Sequence, residues 1–162
     1  MPHARPTTDR AKEALFNIID QSYYFEDITV LDLYAGLGSI SLEFASRGTQ
    51  SITSVEFNRK SINYISEISK KLDLSLNLIS QKVEKYLKYT EETFDVIFAD
   101  PPYNNFSEIG NLIETITQGK FIKAGGIFIL EHQTMTPIDH PKIFDKRNYG
   151  QSTFSFFKFD EA

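Results

Sequence analysis

Asp100-Pro101-Pro102-Tyr103 follows the apolar run Phe94-Asp95-Val96-Ile97-Phe98-Ala99. A buried strand there would deliver a carboxylate, two stiff rings and an aromatic plane to the carboxyl edge of an α/β sheet, where such sheets bind ligands. These groups suit a planar molecule bearing an NH2: acceptors take its N–H bonds while the ring covers its face. A second loop, Ala35-Gly36-Leu37-Gly38, lies between a strand-like run and a helical pattern. Its glycines let a ligand approach the backbone, and the helix N-terminus behind them offers free N–H groups and a positive dipole end.

Asp32 is a charge inside the otherwise apolar run Ile28-Thr29-Val30-Leu31-Asp32-Leu33-Tyr34, costly to bury unless something polar meets it. By itself it could simply cap the glycine turn. Glu56 falls at the end of the next strand, about twenty residues beyond the glycines, where a carboxylate can accept from both hydroxyls of a ribose. Alone it could equally be a solvated strand-end acid, just as Pro101-Pro102 could be a strand stop and Tyr103 a core ring. Taken together at these spacings, the residues favour one crevice for a nucleoside and an amino-bearing acceptor. A dinucleotide fingerprint would want a third glycine where Ser41 stands, which argues against NAD. His132, a lone histidine at a strand end, is expected to make a hydrogen bond or face water and receives no catalytic role. Lys70-Lys71 and Glu91-Glu92 read as solvated charge.

The elements that must position these groups alternate strand and helix, the α/β signature. A helix over about 8–19, capped by Thr7 or Thr8, places Ala11, Leu15, Ile18 and Ile19 on one apolar face. After the strand 28–34, a helix runs through Ser46 and ends at Gly48. A strand over 51–56 precedes a helix capped by Asn58, with Ile62, Ile65, Ile68 and Leu72 inward. Strand 74–80, a short helix 83–88 and strand 94–99 follow. Then come a helix over 109–116, a turn at Gly125-Gly126 and a buried strand, Ile127-Phe128-Ile129-Leu130, ending at Glu131-His132. Two last strands, roughly 142–149 and 153–159, are joined by Gly150-Gln151-Ser152 and form an antiparallel pair at one edge.

With 162 residues, 41% hydrophobic and 14% aromatic, the chain is expected to form one domain. No cysteine is present and only His3, His132 and His140 supply imidazoles, so neither a disulfide framework nor a structural zinc is expected. The beginning of the chain lacks a signal-peptide core and the apolar runs are strand-length, so a soluble cytoplasmic protein is expected. A formal charge of −5 gives no general attraction to phosphate.

Three segments are matched in order: Arg5-Pro6-Thr7-Thr8-Asp9-Arg10-Ala11-Lys12-Glu13-Ala14-Leu15-Phe16-Asn17-Ile18-Ile19, then Leu31-Asp32-Leu33-Tyr34-Ala35-Gly36-Leu37-Gly38, then Asp100-Pro101-Pro102-Tyr103. With the closing Tyr149-Gly150 and its following strand, the chain resembles the RsmD-type 16S ribosomal RNA guanine-N2 methyltransferases over nearly its whole length. The resemblance implies a Rossmann-like class I methyltransferase, a seven-stranded and mostly parallel sheet with the C-terminal hairpin inserted antiparallel. It implies S-adenosyl-L-methionine as methyl donor, no metal, and as acceptor a guanine of 16S ribosomal RNA, within 30S subunits or assembly intermediates.

Carried over by position, the loop Asp32, Tyr34, Ala35, Gly36 and Gly38 would hold the methionine part of the donor. Glu56 would take the ribose, Phe57 would lie near the adenine, and Gln81 with Val83 would meet the adenine's polar edge. Asp100, Pro101, Pro102 and Tyr103 would form the catalytic clamp, with Asp100 also beside the donor. Arg5, Thr8, Arg10 and Tyr103 would contact the substrate. Family members carry a basic segment before Arg5-Pro6-Thr7, and this chain begins almost at that motif, so the expectation is one methyltransferase domain over 1–162 without most of that segment. Adenine-N6 or protein-amide methylation, and a donor-binding module without catalysis, stay open beside the guanine reading.

Overall fold

In the computed structural model, which describes residues 8–160, helix α1 spans Asp9–Asp20, and the Oγ1 of Thr8 caps it by accepting from the Ala11 N–H at 3.2 Å. A single 3-10 turn, Phe25–Asp27, leads into β1, Thr29–Leu33. Then follow α2 Ser39–Ser46, β2 Ser51–Val55, α3 Arg59–Lys71, β3 Asn77–Ile79, α4 Val83–Tyr89 and β4 Phe94–Ala99. The chain closes with α5 Phe106–Gln118, β5 Ile122–Gln133, β6 Ile143–Tyr149 and β7 Ser152–Phe159.

These strands make one seven-stranded sheet in the order β3-β2-β1-β4-β5-β7-β6. The first five positions pair in parallel, whereas β7 is antiparallel to both β5 and β6. The expected α/β class, the mostly parallel sheet and the antiparallel hairpin are therefore all present. Insertion of β7 between β5 and β6 leaves the exposed, charge-rich β6 at the edge, a placement that discourages further strand pairing.

Alternation along the central strands splits the apolar residues between two faces. Val30, Ile52, Val96 and Ile129 pack with Ala11, Leu15, Phe16 and Ile19 of α1 and with Phe44 of α2. Leu31, Leu33, Ile97 and Phe128 point the other way, into Val83 and Leu87 of α4 and Ile109, Ile113 and Ile116 of α5. Strands covered on both faces have no room for uncompensated polar groups, so a buried polar residue within them, such as Asp32, must find a partner. No helix among the described residues is long and apolar enough to cross a membrane.

Two expectations about packing are corrected. Leu72 does not join the buried side of α3: it caps the helix C-terminus and is 59% exposed, while Ile65 is fully buried. Gly125-Gly126 does not turn the chain either. Both lie within β5, where the pairing with β4 shifts register between Phe94 and Val96, as at a β-bulge. Gly125 adopts φ +83°, and a Cβ on Gly126 would sit 2.6 Å from the Asp95 carbonyl oxygen. Close backbone approach, rather than chain reversal, is why this site needs glycine. The boundaries of α5 and β3 also move, since Asn105 caps α5 three residues earlier than the apolar pattern announces and β3 keeps only its last residues.

Gly126→Ala is expected to destabilise the fold by about 1–3 kcal/mol through that collision. Gly110→Ala, inside α5 with open space around its Cβ, should be stabilising by about 0.5–1 kcal/mol. Urea unfolding midpoints of the two variants should move in opposite directions, and a common direction would contradict the bulge geometry.

Candidate active site

Backbone hydrogen bonds of the sheet continue one or two residues past its strands. The Asp100 N–H donates to the Leu33 carbonyl at 3.4 Å, Ala35 N–H to Val55 at 3.0 Å, and Glu56 N–H to Ile79 at 3.0 Å. Loops leaving β4, β1 and β2 therefore begin at positions fixed by the strand lattice. They open into a shared crevice of about 860 Å³ across the carboxyl edge of the sheet.

Asp32 lies one residue before the end of β1, 1% exposed. Its Oδ2 accepts from the Ser41 hydroxyl at 2.6 Å, and that hydroxyl is 2.7 Å from the Ser54 hydroxyl. The aspartate thus ties β1 to α2 and β2 rather than capping the glycine turn. Its polar partner is the serine that stands where a dinucleotide loop would have its third glycine. Burial pushes the Asp32 carboxyl from 3.8 up to about 7, against the Ser41 hydrogen bonds and with a small further push from Glu56. The folded chain therefore keeps a proton on Asp32 across a window from about pH 4 to 7 in which the unfolded chain has lost it. This group's contribution to stability declines as pH rises through that window.

Glu56 closes the glycine loop. Its Oε1 accepts from the Gly36 N–H at 2.8 Å and its Oε2 from the Asn58 N–H at 2.8 Å. A carboxylate has room for about four such bonds, so further donors can still be met. Gly36 adopts φ +59° with open space where a Cβ would project, whereas a Cβ on Gly38, at φ +84°, would lie 2.9 Å from Ile65 Cγ1. The first glycine bares the loop to the crevice, and the second lets α2 start against α3.

On the opposite wall, Pro101 is buried, Pro102 is exposed and Tyr103 is half-buried. The Tyr103 hydroxyl lies 2.9 Å from that of Tyr34, the two rings meet edge to face at 5.9 Å, and the Tyr34 hydroxyl donates to Glu84 Oε2 at 3.3 Å. Tyr34 holds φ +60°, uncommon for a residue with a side chain. Burial pushes both phenols up, so both stay protonated. Phe57 presents its ring to the surface, 63% exposed, with the Lys82 ammonium 5.3 Å from its centroid.

Most of the residues singled out from the sequence line this crevice: Asp32, Tyr34, Ala35, Gly36, Glu56, Phe57, Val83, Asp100, Pro101, Pro102, Tyr103 and Thr8. Gly38 stands behind the wall, and Gln81 and exposed Arg10 do not line it, the crevice being reached instead by Lys82 beside Gln81. Arg5 lies outside the described residues.

Other lining residues were not anticipated. Glu131, His132 and Gln133 end β5 on the crevice, and Tyr149, Gly150, Gln151 and Ser152 bring the β6–β7 turn against it. A four-residue apolar run ending in two polar residues was the available signal, the same one that marks Asp100. His132 Nδ1 lies 2.9 Å from the Gln133 carbonyl and Nε2 2.8 Å from the Ser155 hydroxyl. A carbonyl can only accept, so the proton sits on Nδ1 and Nε2 accepts from serine. Burial lowers the imidazole pKa, which keeps this neutral form. Among the described residues no group of three or more acidic or histidine side chains could hold a metal ion.

The family model described as "Conserved hypothetical protein 95" matches residues 1–158. Ribosomal RNA small subunit methyltransferase D of Haemophilus influenzae is 29% identical over 143 residues, covering 85% of this chain and 72% of the relative. The protein of that name from Buchnera aphidicola is 29% identical over 144 residues, covering 88% and 74%. A hypothetical protein of Thermus thermophilus superposes with a TM-score of 0.84 at 27% identity, over 96% of this chain and 88% of that one. A 16S rRNA N2 G1207 methyltransferase of the same organism, solved with AdoMet and guanosine, shares the fold at a TM-score of 0.76 and 20% identity, over 96% of this chain and 44% of that one. With the family model matched along almost its entire length, the chain belongs to the conserved hypothetical protein 95 family, that of the RsmD-type methyltransferases.

Proposed function

We propose that residues 1–162 act as one methyltransferase domain that transfers a methyl group from S-adenosylmethionine to the exocyclic N2 of a guanine in 16S ribosomal RNA, presented by the 30S subunit or an assembly intermediate. The observation that carries this reading is the convergence of the glycine loop after β1, Glu56 after β2 and Asp100-Pro101-Pro102-Tyr103 after β4 on one crevice. Relatives named as small-subunit ribosomal RNA methyltransferases support the acceptor class.

The chain's own groups suit the donor. Gly36 leaves its backbone open, Glu56 retains acceptor capacity beyond its two backbone bonds, and Phe57 offers a largely exposed ring. Asp32 and the loop through Gly38 would hold the methionine end, Glu56 the ribose, and Phe57 and Val83 the adenine. S-adenosylmethionine supplies an electrophilic methyl group on a cationic sulfur.

Guanine's exocyclic nitrogen is a weak nucleophile because its lone pair is delocalised into the ring. The Asp100 carboxylate and the Pro101 carbonyl would accept its two N–H bonds and draw the nitrogen toward tetrahedral geometry, freeing the lone pair. Tyr103 would stack on the base, a contact worth about 1–3 kcal/mol. The guanine must be flipped out or presented in a single-stranded loop to reach this depth. Thr8 lines the crevice at the N-terminus of α1 and, with Arg5 and the exposed Arg10, would meet the RNA.

Labelled donor and 30S particles from cells lacking the modification test the reading, with label expected on guanine N2. Label on adenine N6 or on a protein amide would replace the acceptor, and no label beside an active control would remove the reading. Asp100→Ala should lower transfer roughly a hundredfold or more, as misplacement of reacting groups does. Equal transfer by the variant would reduce the clamp to a strand stop.

Donor affinity should also follow the charge on Asp32. Holding a cationic amino acid end nearby favours the ionised carboxylate, and Asp32 is protonated below about pH 7 in the free protein. Affinity for S-adenosylhomocysteine, measured by calorimetry, should therefore weaken as pH falls through 7, by up to about tenfold per unit. In Asp32→Asn that slope should vanish, and an unchanged slope would assign it to another group.

A further inference from the structure

We infer that Glu131 is the residue that selects guanine, by accepting the base's N1–H beside the amino group held by Asp100. The inference rests on the acceptor reading above and goes beyond it by naming what reads the base.

Glu131 follows Leu130, which pairs with Ala99, so extending the parallel β4–β5 register by one residue sets Asp100, just past β4, beside Glu131. Neighbouring strands lie about 4.8 Å apart and paired residues share a face. Both side chains line the crevice, and Glu131 is only 6% exposed. A carboxylate so buried is costly unless donors meet it. Glu131 has a partner within the protein, and its two oxygens can accept more than one bond.

The chemistry of the bases then decides what fits. Guanine presents N1–H directly beside its N2 amino group, two donors in a row for two adjacent carboxylates. Adenine presents the lone pair of N1 beside its N6 amino group, and cytosine that of N3 beside its N4 amino group. Either would set a lone pair against the Glu131 carboxylate, and a site built around one hydrogen bond strongly rejects the base that cannot make it. Asp100 alone accepts from any amino group and cannot make this distinction. His132, with both ring nitrogens already engaged, cannot make it either.

The test uses the full chain saturated with S-adenosylhomocysteine and two free nucleosides, guanosine and 2-aminopurine riboside. Both carry the amino group, but 2-aminopurine has a lone pair at N1. Saturation-transfer NMR titrations give the ratio of their dissociation constants, which a partial loss of folded protein does not alter. Wild type should prefer guanosine by roughly tenfold or more. Glu131→Gln, whose amide can donate to a bare N1, should abolish or invert the preference, whereas Glu131→Ala should weaken guanosine to the level of 2-aminopurine. Guanosine preference unchanged in Glu131→Gln would remove Glu131 while leaving the amino-group reading intact. Failure of guanosine to bind wild type would overturn both.

Discussion

The constraint behind the whole arrangement is that β1, β2 and β4 run parallel and, with the middle of β5, are buried on both faces. Antiparallel strands can put a polar residue on a solvated face anywhere along their length. These strands cannot, because helices cover each side. Carboxylates that are to meet a ligand must therefore emerge together where the strands stop. Glu56 and Asp100 each sit just beyond such a strand, Glu131 follows the apolar run of β5 two residues before the strand ends, and Asp32 is one residue short of the end of β1.

The exception shows what the rule costs. Asp32 remains within the strand lattice and survives there through the Ser41 and Ser54 hydroxyls, at the expense of a carboxyl that is reluctant to ionise. Glu56 solves the same problem differently, by sitting at the rim and accepting two backbone N–H groups. One acid is thus set to respond to an arriving cation, whereas the other shapes a loop in advance. Two chemically similar side chains differ because a short step along the chain separates a buried strand from its loop.

Much of this was legible in the sequence because it is written in local patterns. Alternating periods exposed the α/β order, and acids following apolar runs exposed Glu56 and Asp100. What escaped reading depends on partners distant in sequence. Gly125-Gly126 looks like a turn until the Asp95 carbonyl is brought against it. Leu72 looks buried until α3 ends one residue before it and leaves it facing outward. Glu131 carries the same signal as Asp100 but becomes meaningful only when β5 is set beside β4. Ser41 reads as a missing glycine until it is found on Asp32.

The insertion of β7 between β5 and β6 also imposes an order in time. Ile127–Leu130 are fully paired only when Ser152–Phe159 has been synthesised and has slipped in beside them. Until then β5 is an apolar strand with one open edge, the kind that invites pairing with another chain. The same eight residues bring Ser155 to His132 and Ser152 to the crevice. A nascent chain can thus have its glycine loop and Asp100-Pro101-Pro102-Tyr103 in place while the wall that completes the crevice is still missing, so the region fashioned last is one that lines the crevice.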